Sequence, residues 1–339
     1  MSNNPLLKGV RILDMSRILA GPWATQLLAD YGAEVIKIEK PEIGDDTRQW
    51  GPPWLSGKKR VDNSDAAYFL STNRNKRSLT CDFSTKEGAL IIKELVKSCD
   101  ILIENYRAGT LEKYGLGEKQ LKKINSKLIY CSITAFSETS SKSGESGYDA
   151  MIQASGGLMS ITGESKGKPP MKVGAPVTDI TAGILAATGV LAALVSRATT
   201  GVGQRVDTSL YEAGIVHTYW QSAIASATGV APGPLGSAHP LTAPYQAFQT
   251  KDKWITVGAS NQNTWLKLID ALGAKELQEN EKFNSNANRM KNVAELTELL
   301  KKELVKKTAE EWLKLFDEKG LPCGPINTVT EMFEDPQTI

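Results

Sequence analysis

Short apolar runs alternate with longer amphipathic stretches from the N-terminus to about Thr200. Val10-Arg11-Ile12-Leu13-Asp14 predicts a strand, Ala20-Gly21-Pro22 a turn, and Trp23 to Tyr31 a helix. Gly32 follows where a helix ends in a left-handed residue, and Glu34-Val-Ile-Lys-Ile-Glu39 predicts the next strand. This is a βαβ unit, whose crossover makes the two strands parallel. The alternation continues through helix Lys86 to Ser98, strand Ile101 to Glu104, helix Glu118 to Ile124 and strand Leu128 to Ile133. The expected fold is α/β, a doubly wound Rossmann-like parallel sheet.

A helix is expected from Ile180 to Ser196, with its apolar tract Ile184 to Val195 broken by Thr188 and Gly189. That tract is shorter than the roughly 20 residues needed to span a bilayer, so a core helix is expected. The strand Arg205 to Leu210 and a helix through Trp220 follow. The Gly- and Pro-rich stretch Gly229 to Gly236 reads as a linker, because it cannot continue a regular element. It divides the chain into a large domain, residues 1–228, and a small α+β domain, residues 229–339. The small domain should hold a hairpin, Tyr245 to Thr250 with Trp254 to Gly258, and helices Asn263 to Leu272, Val293 to Lys306 and Ala309 to Lys319.

Composition narrows the chemistry. Hydrophobic residues at 41% and charged residues at 23% are ordinary for a folded domain. The 40 Lys and Arg against 38 Asp and Glu leave +2, too little to attract nucleic acid by bulk charge. Cys81, Cys99, Cys131 and Cys323 form no CxxC pair, and Met1 to Lys8 has no apolar secretory core, so a cytoplasmic location with reduced thiols is expected. The two histidines, His217 and His239, have no metal-like spacing, and no metal site is expected. There is no GxSxG elbow, and the first turn has Pro22 where a dinucleotide fingerprint needs backbone donors. Carboxylates are left as the leading nucleophile candidates. Asp179 opens the most apolar predicted helix, where free N–H groups meet a carboxylate, though an ordinary N-cap aspartate would sit there too.

Several blocks resemble the class III CoA-transferase (CaiB/BaiF) family. They are Leu7 to Asp14, Leu19-Ala-Gly-Pro22, Leu27 to Glu39, Gly44-Asp-Asp-Thr-Arg48, Asn73 to Ser78, Glu104-Asn-Tyr-Arg-Ala-Gly109, Gly147-Tyr-Asp149, Gly156 to Gly163 and Thr178-Asp-Ile-Thr-Ala-Gly183. Pro244-Tyr-Gln-Ala-Phe248 and Gly324-Pro-Ile-Asn327 extend the likeness into the small domain. The resemblance implies that Asp179 is the nucleophile. By matching position it implies CoA contacts at Leu19 and Ala20, at Lys40, along a strand Cys81, Asp82, Phe83 and Ser84, at Asn105, Tyr106 and Arg107, at Lys113, and at Ser146, Gly147, Tyr148 and Asp149. CoA would then be a substrate, with no permanently bound cofactor, and an interlocked homodimer is implied.

In the expected reaction Asp179 passes through an aspartyl-CoA thioester, with backbone N–H groups of Gly156 and Gly157 stabilising the oxyanion. Leu19 stands where formyl-CoA transferases have Gln, which argues against formyl and oxalyl groups. The wording of the blocks resembles the succinyl-CoA:dicarboxylate branch, using glutarate or hydroxymethylglutarate. The chain ends at Ile339, short of the family's C-terminal return segment. An α-methylacyl-CoA racemase-like enzyme is one alternative, weakened because Tyr148 stands where that branch carries a basic His. A non-catalytic CoA-binding protein is the other.

Overall fold

The computed structural model describes residues 5–339, so the first half of the segment read for a targeting signal lies outside the described residues. Two compact units share the chain. One holds residues up to Thr162 together with Pro170–Pro232, and the other holds Gly163–Pro169 and Gly233–Ile339.

The first unit is built on strands β1 (Arg11–Asp14), β2 (Glu34–Glu39), β3 (Lys76–Thr80), β4 (Ile101–Glu104), β5 (Ile129–Thr134) and β6 (Arg205–Ser209). They lie in the order β3-β2-β1-β4-β5-β6, and every neighbouring pair is parallel. The helices are α1 (Ala20–Asp30), α2 (Ala67–Thr72), α3 (Lys86–Val96), α4 (Glu118–Lys122), α5 (Asp149–Ser155), α6 (Leu158–Ile161), α7 (Val177–Thr200), α8 (Leu210–Val216) and α9 (Tyr219–Thr228). Alternate side chains of each strand face opposite layers. Ile12, Ile101 and Ile103 pack with the apolar faces of α1, α7 and α8, while Leu13 and Leu102 pack with Ile92 and Val96 of α3 and Leu121 of α4. Both faces of the sheet are covered, which is why β4 is apolar at three successive positions and wholly buried.

Three expectations are corrected. Ala20-Gly21-Pro22 is not a turn but the first turn of α1, where the missing N–H of proline costs no helical bond. Cys81 to Ser84 is not a strand. The strand is Lys76–Thr80, a polar edge strand with little apolar signature, and Cys81–Ser84 is the turn leaving it. The helix expected from Ile180 runs from Val177 to Thr200, which makes it long and apolar enough to cross a membrane by length and composition. Here it packs on α1, α8 and the sheet. Gly183 permits this, because a Cβ there would stand 2.6 Å from the carbonyl oxygen of Ala20.

The second unit contains the expected hairpin, β7 (Tyr245–Gln249) with β8 (Trp254–Gly258), extended by a third strand, β9 (Cys323–Pro325). Its helices are α10 (Gln262–Leu272), α11 (Lys275–Glu279), α12 (Asn286–Lys291), α13 (Val293–Leu304), α14 (Ala309–Glu318) and α15 (Val329–Glu334). Its core joins Phe248, Ile255 and Val257 to Trp265, Leu296, Leu300 and Trp312.

Candidate active site

Strand order reverses between β1 and β4, so the loops leaving those two strands diverge and open a crevice at the carboxyl edge of the sheet. Two cavities of the first unit lie there. The larger, about 390 Å³, is lined by Leu19, Ala20, Asn105, Tyr106, Arg107, Ser146, Gly147, Tyr148 and Asp179 among others. The second, about 300 Å³, is lined by Lys40 and by Cys81, Asp82, Phe83 and Ser84. Arg17 and Tyr106 line both. Fourteen of the sixteen expected site residues line one cavity or the other, and Lys113 and Asp149 line neither.

Lys113 is exposed on a short 3-10 turn, Glu112–Tyr114. Asp149 stands behind Asp179. Its Oδ1 accepts the N–H of Thr178 at 3.1 Å and the Thr178 hydroxyl at 2.9 Å, and its Oδ2 accepts the side-chain N–H of Gln153 at 2.8 Å. Asn105 uses its amide on the backbone of Arg17, donating to the carbonyl at 2.7 Å and accepting the N–H at 2.8 Å. Arg107 hydrogen-bonds to Ser146, tying together two loops of the larger cavity.

Asp179 is not an N-cap. The capping position of α7 is Pro176, which makes no side-chain cap bond, the first-turn N–H of Thr178 goes to Asp149, and the Asp179 carboxylate has no hydrogen bond or ion pair among the described residues. Burial, with the nearby Asp149 charge second, pushes its carboxyl up to about 7. A carboxylate that lines a cavity with its ionised form disfavoured and no partner among the described residues is a candidate reactive group. Burial and then the Asp179 charge raise the phenol of Tyr68 to about 12. Tyr68 lines a third, apolar cavity of about 310 Å³ with Trp23 and Ile180, and Leu19 borders this cavity and the larger one alike.

Gly156 and Gly157 are corrected as oxyanion donors. Their N–H groups already donate to Ile152 at 2.7 Å and Ala154 at 3.4 Å, and neither lines the cavities. By contrast, the N–H groups of Leu19 and Ala20 have no partner among the described residues, since a helix start leaves its first donors unused. His217 stands against α7, its Nε2 2.7 Å from the Thr181 hydroxyl, and no imidazole accompanies Tyr148 in the cavity. Sequence reasoning missed Arg17, Ile18 and Tyr68. The signal for the first two was available, because a loop after β1 at a switch point is a standard ligand position.

The family model for CoA-transferase family III matches residues 7–339. The chain belongs to this family. It is an enzyme that transfers CoA. The succinate--glutarate CoA-transferase of Agrobacterium fabrum is 39% identical over 336 residues, covering 99% of this chain and 84% of that enzyme. The succinyl-CoA:glutarate CoA-transferase of Mus musculus is 40% identical over 342 residues, 98% of this chain and 74% of that one. The crystal structure of a CAIB/BAIF family protein from Brucella suis superposes with a TM-score of 0.89 at 42% identity, covering 99% of this chain and 88% of that chain. The parallel sheet and its helical layers are thus the CoA-transferase fold.

Proposed function

We propose that this family III enzyme exchanges CoA between succinyl-CoA and a free dicarboxylate through a thioester on Asp179. The observation that carries the reading is a partly buried carboxylate, without a partner among the described residues, in the cavity between the β1 and β4 loops.

As carboxylate, Asp179 attacks the thioester carbonyl carbon of succinyl-CoA. The C–S bond breaks, giving a mixed anhydride and CoA thiolate. The thiolate attacks the Asp179 carbonyl, releases succinate and leaves aspartyl-CoA. The acceptor carboxylate opens that thioester to a second anhydride, and the thiolate attacks the acceptor carbonyl, freeing Asp179. No proton is consumed, and the thioester free energy passes to the product. Each tetrahedral oxyanion needs donors, and Leu19 and Ala20, whose N–H groups have no partner among the described residues, line the same cavity. A donor of this kind is worth about 3 kcal/mol in acyl chemistry.

The CoA contacts follow from chemistry at the cavities. Arg17, Lys40 and Arg107 supply cations for phosphates, and the turn Cys81–Ser84 with Tyr106 forms a wall for the nucleotide. Lys113 remains a proposed contact by resemblance alone. The dicarboxylate reading is supported by the glutarate enzymes among the relatives. The apolar cavity beyond Leu19 supports an acyl chain with methylenes over a formyl or oxalyl group.

A homodimer is supported by apolar side chains left exposed on the first unit. Val195 is 72%, Val216 52% and Tyr219 74% exposed, and α9 buries no residue. Four free cysteines support a cytoplasmic location. The decisive assay pairs succinyl-CoA with glutarate and follows glutaryl-CoA and succinate. Equal formation of both products supports the reading. Succinate without glutaryl-CoA, or epimerisation of a 2-methylacyl-CoA, contradicts it.

A further inference from the structure

The loop leaving β1 holds a conformation its own residues disfavour. Ile18 has φ +70°, in the left-handed region where a β-branched side chain meets its own backbone. Such a conformation persists only where the surroundings over-determine it. Here the surroundings are side chains from other elements. Asp14 accepts the N–H of Ser16 at 3.0 Å, and Lys37 donates to the Ser16 carbonyl at 2.9 Å. Asn105 takes both the N–H and the carbonyl of Arg17. Asp45 accepts the N–H of Ile18 at 3.1 Å. Every backbone polar group from the Ser16 N–H to the Ile18 N–H is therefore held by a side chain.

Those side chains are themselves locked. Lys37 pairs with Asp45 at 3.0 Å and Lys76 with Asp14 at 3.1 Å, and none of the four side chains is more than 2% exposed. Thr47 donates its N–H and its hydroxyl to Asp45 at 3.0 and 2.7 Å, and Thr25 donates to Asp14 at 2.7 Å. Burying two ion pairs is a costly way to hold a turn that one glycine would permit. What the arrangement achieves lies just downstream. Ile18 precedes Leu19 and Ala20, which line the cavity of Asp179 and whose N–H groups have no partner among the described residues, and it follows Arg17, which lines both cavities.

We propose that Asp45 and Lys37 are positioning residues for CoA transfer, locking Ile18 left-handed so that Leu19 and Ala20 stay aimed at the reacting carbonyl. The proposal rests on the reading of Asp179 given above. Neither residue acts on substrate atoms. Their role is to stop the β1 loop from relaxing, because donors misplaced by even an ångström lose their effect.

The test uses the full chain with succinyl-CoA and glutarate and compares the parent with Asp45→Asn and with the double variant Ile18→Gly/Asp45→Asn. Asp45→Asn turns an amide N–H toward two donors, so its Tm should fall and its kcat should drop about tenfold. KM for succinyl-CoA should move less than about threefold, because ground-state contacts are kept. Glycine adopts φ +70° without strain, so adding Ile18→Gly should win back at least about threefold of the lost kcat. In both variants the Asp179 adduct still forms, more slowly than in the parent. An Asp45→Asn enzyme with kcat within twofold of the parent, or a double variant with no recovery of kcat, overturns the proposal. Absence of the adduct in the parent, with kcat still lost in Asp45→Asn and regained in the double variant, contradicts the Asp179 reading instead and leaves the positioning role standing.

Discussion

Two aspartates, Asp14 fully buried and Asp179 partly buried, stand at the carboxyl edge of the sheet unit, and their surroundings are opposite. Asp14 is fully buried, yet Lys76, Lys37, Ser16 and Thr25 overcome its burial and hold its carboxyl down at about 2. Among the described residues Asp179 has no cation and no hydrogen bond, and burial with Asp149 pushes it up to about 7. Charge that is fully compensated behaves as structure, because its energy depends on partners that do not move. Charge left uncompensated is available to a substrate. The contrast sets a carboxylate held as scaffold apart from the proposed nucleophile without appeal to position in the chain.

The largest effect expected from this contrast is on rate. Asp179→Asn should lower transfer by about 10⁴-fold or more, read as glutaryl-CoA formed, since no other group can form the thioester. Asp14→Asn should leave Lys76 buried and unpaired and cost about 3–5 kcal/mol in denaturant unfolding.

A third effect has the opposite sign. Asp179 ionises near pH 7 in the folded chain against 3.8 when unperturbed, so the fold loses stability as pH rises between those values and bears the full penalty above pH 7. Asp179→Asn should therefore be more stable than the parent at pH 8, by roughly 2–4 kcal/mol. The gain should vanish below about pH 4, which melting curves across pH would show. The same titration should give kcat/KM an acid limb near pH 7, with the ionised form active. The smallest effect belongs to Asp149→Asn. Removing the second cause of the Asp179 shift should move that limb down by about one pH unit or less.

Much of the sheet unit was legible in the sequence because its inner strands are apolar and its helices amphipathic. Strands Glu34–Glu39 and Ile101–Glu104 match their expected bounds residue for residue. The third strand escaped because Lys76–Thr80 is an edge strand with one apolar side chain in five. The buried ion network was hidden for a related reason. Lys37 and Glu39 alternate with apolar residues like the solvent face of a half-exposed strand, yet both are buried, paired with Asp45 and Arg48 from the segment that follows. Tertiary pairing decided their fate, and no local pattern encodes it. Asp179 was visible as a carboxylate at a helix start, but an N-cap would look the same. Only the cavity and the absent cap bond separate the two. Gly156 and Gly157 looked like free donors until the turn around them engaged both amides.

The central claim is that Asp179 carries the CoA. Intact-mass and peptide-level mass spectrometry of the enzyme incubated with succinyl-CoA and no acceptor tests it directly. A thioester adduct of CoA on the peptide containing Asp179, discharged by added glutarate, is the expected result. No adduct in an enzyme that still forms glutaryl-CoA, or an adduct on Glu104 or Asp149 in its place, would contradict the account.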